Sequence, residues 1–275
     1  MDWLEDDTRD SLKQLKDLVE ITLKPTKGHE IIIVSGIEEA STRKALAKCL
    51  LAVATQVIQN DFQLSTLLLG KSQESVDKTI NETRVLIDGT HANAWIAEAI
   101  FFILIVVAEE MHPPGKMLVH TFPHTSATRQ GLDGTGIYYD RHYERLGAAI
   151  TEAKNYDNLN NAVSVSVKSF QKVATDQLGA ELRSVFYGLL PFLSAENKSK
   201  LSSEFWTETC TYIPALFFVG DPKYRKCQER KTFSNYSIPR THKLLVLNEF
   251  KDRDTFYQEI KEEMQNQMKE WIGNV

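Results

Sequence analysis

Three groupings in the sequence carry residue types that could do chemistry. Ser65-Thr66-Leu67-Leu68-Leu69-Gly70-Lys71-Ser72 matches a phosphate-binding loop except for its first glycine. Such a loop works because glycine backbone lets several N–H groups converge on a phosphate, whereas Thr66-Leu67-Leu68-Leu69 reads as a helix end. His112, His120 and His124 lie just after Glu109 and Glu110. Imidazole with carboxylate could hold zinc, but the spacing matches no usual ligand set. Asp88-Gly89-Thr90-His91 would present an acid and a base on one turn, and Thr90 is equally placed to cap the helix that follows. There is no Gly-x-Ser-x-Gly elbow and no cysteine with a histidine near it in sequence. No catalytic residue, metal ligand or cofactor is assigned on these grounds.

The segment from Asp221 to Lys243 differs in kind. It holds seven basic residues, Lys223, Arg225, Lys226, Arg230, Lys231, Arg240 and Lys243, against two acidic ones, Asp221 and Glu229. Its net charge is +5 in a chain of net charge −5, so the remainder carries −10. Tyr224, Phe233 and Tyr236 are interleaved with these charges. Lysine and arginine neutralise phosphates and aromatic rings stack on unpaired bases, so the segment suits single-stranded nucleic acid.

Hydrophobic periodicity describes the elements that must position these groups. Leu12, Leu15, Val19 and Leu23 predict a helix over residues 8–24, ended by Pro25. Ile31-Ile32-Ile33-Val34 fits either a short buried strand or the start of a core helix, and Ser35-Gly36 after it slightly favours the strand. Residues 38–69 predict one or two helices, Val85-Leu86-Ile87 a brief extended piece, and the apolar run from Trp95 to Ala108 a buried helix too short to span a bilayer. Residues 143–154, 163–190 and 196–209 read as further helices, Leu216-Phe217-Phe218-Val219 as a compact apolar piece before a turn, and Phe256, Ile260, Met264, Met268 and Trp271 as one stripe of a C-terminal helix. The expected fold is mainly α: a helical lobe over residues 1–114, a loop-rich hinge over 115–137 and a second helical lobe over 138–275.

A hydrophobic fraction of 42% with 25% charged residues excludes a disordered or collagen-like chain. Cys49, Cys210 and Cys227 are odd in number and widely spaced, which suits neither a disulfide framework nor a zinc ribbon. The acidic start Met1-Asp2-Trp3-Leu4-Glu5-Asp6-Asp7 lacks the basic and apolar regions of a signal peptide. A cytoplasmic protein is expected.

Phe122-Pro123-His124-Thr125-Ser126-Ala127 through Gly131, and Ala148-Ala149-Ile150-Thr151-Glu152-Ala153, resemble a segment of filovirus nucleoproteins. Gly131-Leu132-Asp133, Tyr138-Tyr139-Asp140, Tyr143 and Arg145-Leu146-Gly147 are similar to the paramyxovirus form. The resemblance to nucleoproteins of non-segmented negative-strand RNA viruses implies two helical lobes, RNA in a groove between them and self-association into a ring or filament. On that reading Arg129, Arg141 and Arg145 would face RNA, together with Lys223, Tyr224, Arg225, Lys226, Arg230, Lys231, Tyr236 and Arg240 of the basic segment. Coating of single-stranded RNA is thus the leading functional expectation. The alternatives are an enzyme, metal-dependent or nucleotide-processing, sited around Asp88, His91 and the histidines from His112 to His124, and a helical protein-interaction module.

Overall fold

The structure is a computed structural model that describes residues 3–26, 29–66, 73–111, 115–124, 132–141, 143–156, 159–174, 179–206, 209–219, 242–250 and 252–273. Helix α1 (Asp6–Lys16) starts on Asp6 and Asp7 and ends on Lys13 and Lys16, charges that complement the helix dipole. It stops earlier than its apolar spacing predicts, because Val19 and Leu23 belong to the following turn and strand. β1 (Glu20–Thr26) and β2 (His29–Ser35) form an antiparallel hairpin in which the Ile31–Val34 strand appears as expected. Gly36 then turns the chain at a φ of +85°, a conformation that side chains with a Cβ rarely adopt.

Helices α2 (Ala40–Thr66), α3 (Gln73–Asp88) and α4 (Ala92–Met111) follow. Val85, Leu86 and Ile87 close α3 and are helical, not extended. Strands β3 (Gly115–His120), β4 (Gly134–Asp140) and β5 (Arg145–Asn155) make an antiparallel meander. Next come α5 (Leu159–Ala174), α6 (Gly179–Leu189), the short α7 (Ala195–Lys198), β6 (Thr211–Val219), β7 (His242–Phe250) and α8 (Arg253–Gly273).

All seven strands join one sheet in the order β1-β2-β7-β6-β5-β4-β3. Its four central strands, β2, β7, β6 and β5, are mutually parallel, and antiparallel strands complete both edges. On one face, Leu12 and Leu15 of α1, Leu46 and Leu50 of α2, the whole apolar run of α4 and Ile260 and Met264 of α8 pack against Ile32, Ala149, Ala215 and Phe217. On the other, Val163 and Phe170 of α5 and Phe186 of α6 pack against Ile31, Ile150, Tyr212 and Leu216.

This architecture overturns the mainly-α expectation: the chain is α/β, built on a mixed sheet covered by helices on both faces. The segment expected as a hinge supplies β3 and the start of β4, and residues 143–154, expected as a helix, are mostly β5. The physical reason lies in burial. Leu146, Ala148 and Ile150 face one helical layer while Ala149 and Ala153 face the other, so β5 reads as a continuous apolar run. Strands covered on both faces lose the polar-apolar alternation that would distinguish them from a buried helix. Among the described residues, no single helix is long and apolar enough to cross a membrane.

Candidate active site at the end of beta5

β4 begins at Gly134, paired with Thr151, while β5 runs on to Asn155. The last residues of β5, Glu152 to Asn155, are therefore paired to β6 on one side only. Asp133, immediately before β4, sits over this open edge, and its Oδ2 accepts the Ala153 backbone N–H at 2.7 Å. Because successive strand residues alternate faces, Glu152 and Lys154 share the face covered by α5. Lys154 Nζ lies 2.7 Å from Glu152 Oε1 and 3.4 Å from Asp133 Oδ2. Ser169 of α5 donates its hydroxyl to the same Glu152 oxygen at 2.8 Å.

Two carboxylates and one ammonium leave this cluster one negative charge in excess. Burial, and then the charge of Asp133, hold the Glu152 carboxyl above its ordinary range despite Lys154 and Ser169. Burial works against the Lys154 ammonium, but the two carboxylates outweigh it and hold Lys154 above its usual value. The side chain of Glu152 is only 5% exposed, and its Oε2 has no hydrogen-bond partner among the described residues. A buried carboxylate oxygen without a donor is costly and calls for an explanation, of which a bound ion is one.

Asp133 also lines a recess of about 370 Å³, together with Trp95, Glu98 and Phe101 of α4, His124, Ala153 and Asn155. Glu98 Oε1 accepts both the backbone N–H of His124 at 2.8 Å and its ring Nδ1 at 2.9 Å. Gly134 keeps the start of β4 close to His120: a Cβ there would lie 2.5 Å from the imidazole Cε1. His120 is fully buried, and burial pushes its pKa down to about 4 against the opposing contact with the Thr121 carbonyl. A larger groove, about 730 Å³, runs between α1, α2 and α8. Its charged residues, Asp7, Asp10, Lys44, Lys48 and Glu270, are all exposed, and Asp10 pairs with Lys13.

The residues singled out from sequence fall elsewhere. Arg141 is exposed in the β4–β5 turn and Arg145 starts β5, about 23 Å along the strand from Glu152 at the usual rise per residue. Arg129, Lys223, Tyr224, Arg225, Lys226, Arg230, Lys231, Tyr236 and Arg240 lie outside the described residues. So do His112 and most of the near-phosphate loop, whose Ser65 and Thr66 close α2. Asp88 and His91 are exposed at the α3–α4 junction, where Gln265 of α8 donates to Asp88 Oδ1 at 2.7 Å. His120 is sealed in the core and His124 is engaged by Glu98, so the structure does not bring Asp88, His91, His120 and His124 into one site. Among the described residues, no three His, Cys, Asp or Glu side chains are arranged to hold a metal ion by themselves.

Sequence reasoning singled out Asp133 and Glu152 only through the nucleoprotein-like stretch and gave Lys154 no role beyond the end of an expected helix. The available signal was Glu152-Ala153-Lys154 read with a period of two, preceded by an acid just before the neighbouring strand. Fold and cluster together define an α/β protein with a buried carboxylate and lysine centre at the end of a central strand. No protein-family model matches the chain, and no curated protein matches it significantly.

Proposed function

We propose that the chain is a divalent-cation-dependent phosphodiester hydrolase acting on nucleic acid, with Asp133, Glu152 and Lys154 as its catalytic centre. The observation that carries this reading is the buried Glu152 Oε2, which has no hydrogen-bond partner among the described residues, in a cluster of two carboxylates around one lysine. A hard cation supplies what that cluster lacks. Magnesium in particular is held by one or two carboxylates and completes its shell with water and substrate phosphate oxygens, so two acids without a third protein ligand fit it. Asp133 and Glu152 would hold the cation, which when bound polarises a phosphoryl oxygen and stabilises developing charge.

Lys154 supplies a compact positive charge beside the carboxylates. Its ammonium can hold the attacking water against the phosphorus or neutralise a phosphate oxygen. Asp133 also borders the recess on the opposite, α4 face of the sheet, which Asn155, Glu98, Trp95 and Phe101 line and Glu152 and Lys154 do not. The basic segment favours a nucleic acid as the phosphodiester, because its charge and aromatic content suit phosphates and bases. Coating of single-stranded RNA without cleavage is the second reading, favoured by the same segment.

The test is incubation of the full chain with labelled single-stranded RNA, single-stranded DNA and duplex DNA, each with Mg²⁺ or Mn²⁺ and with chelator. Cation-dependent cleavage that disappears in Asp133→Asn and Glu152→Gln supports the hydrolase. Binding with no cleavage under any cation would overturn it in favour of coating.

A further inference from the structure

The geometry points to Ser169 as a positioning residue that selects which oxygen of Glu152 is offered to the cation. This inference rests on the cation reading of Asp133 and Glu152. Glu152 Oε1 receives two donors, the Ser169 hydroxyl at 2.8 Å and the Lys154 ammonium at 2.7 Å, while Oε2 receives none among the described residues. A carboxylate that can rotate offers either oxygen; one pinned at Oε1 by donors from two different elements presents Oε2 alone. Lys154 comes from β5 itself and Ser169 from α5 across the face of the sheet.

The behaviour of α5 supports the assignment. Serine inside a helix ordinarily bonds back to the carbonyl four residues earlier, and Ser166, one turn before, does so to Ala162 at 3.0 Å. A hydroxyl has one proton. Ser169 directs its proton to Glu152, on a helix fixed to the sheet by Phe170 packing edge-on against Tyr212, with ring centroids 4.9 Å apart. Partners that orient a ligand carboxylate from outside the coordination shell typically change metal affinity by 10- to 100-fold when removed.

The experiment measures Mn²⁺ affinity of the full chain, without substrate, from the electron paramagnetic resonance signal of free Mn²⁺. Ser169→Ala and Ser169→Val should bind Mn²⁺ about tenfold more weakly than the parent, and Ser169→Thr within about threefold. Valine and threonine share a shape and differ in the hydroxyl, so their comparison holds even where alanine disturbs α5. Parent-like affinity in Ser169→Ala, or equal weakness in the threonine and valine variants, would overturn the role of Ser169. Glu152→Gln separates the two levels. If it abolishes binding while Ser169→Ala does not, only the positioning role falls; if the parent binds no Mn²⁺, the cation reading falls with it.

Discussion

Replacing Lys154 with methionine keeps the bulk of the side-chain stem and removes the one positive charge between Asp133 and Glu152. At an effective dielectric constant of about 20, an ammonium 2.7 Å from one carboxylate oxygen and 3.4 Å from another is attracted by about 6 and about 5 kcal/mol. Those gross values are opposed by the cost of taking the ammonium out of water, since Lys154 is only 16% exposed. Removing one member of a buried ion cluster costs about 3–5 kcal/mol, because the charges left behind are uncompensated. For a chain of this size that lowers the melting temperature by about 10 °C at pH 7.5.

The pH dependence of this loss has a definite sign. Lys154 is held above its ordinary value of 10.5, so its contribution in the parent is complete below that value and is lost only as pH rises through the shifted one. Glu152 is already held above 4.5, and without the ammonium it moves higher still. A proton taken up by the variant's native state then stands in for the missing charge, so the destabilisation should shrink between pH 7.5 and pH 5. Urea unfolding at both pH values measures it. Millimolar Mg²⁺ should restore more stability to the variant than it adds to the parent, because a cation replaces the lost charge. A Lys154→Met protein within 1 kcal/mol of the parent at both pH values, a bound taken from the surface-pair range, would refute the reasoning.

Three further outcomes follow from the same geometry. His120, with its pKa near 4 in the folded state and about 6.5 unfolded, should cost the native protein about 3 kcal/mol as pH falls through that window, and His120→Leu should flatten this part of the urea-unfolding profile. Gly134→Ala forces a Cβ onto the buried His120 ring and should displace Asp133, lowering cleavage more than tenfold on the scale of small misplacements of catalytic groups while Glu152 and Lys154 stay intact. Replacing Arg225, Lys226, Arg230 and Lys231 with glutamine should weaken nucleic-acid binding and flatten its salt dependence, read by anisotropy over a salt series.

The parts of this fold legible in the sequence are those whose pattern survives burial. The stripe Phe256, Ile260, Met264 and Met268 is the buried face of α8, and Ile31–Val34 is a strand ended by a glycine with positive φ. β5 was illegible as a strand because both of its faces are covered, and that error hid the site. On a helix, residues two apart point about 200° away from each other, so Glu152 and Lys154 read helically have nothing to do with one another. On a strand they stand side by side. Asp133 could be joined to them only through the β4–β5 register, which depends on pairing between segments and not on local spacing.

The charge distribution ties the two halves of the functional argument together. A phosphodiester approaching Asp133 and Glu152 meets a cluster with excess negative charge in a chain that carries −10 outside residues 221–243. A cation offsets that repulsion at the reacting phosphate but not along the neighbouring backbone phosphates. The parallel strands β5 and β6 end together, with Asn155 opposite Phe217, so the chain leaves β6 at Val219 from the end of the sheet that holds Glu152 and Lys154. The +5 stretch starts two residues later in the sequence. In parallel sheets, ligands bind in the crevice beyond the carboxyl ends of the strands. The segment thus begins at the sheet end that holds the acids, and it ends with Lys243 in β7, which is parallel to β6 and so starts at the opposite end, where His242 pairs with Thr211.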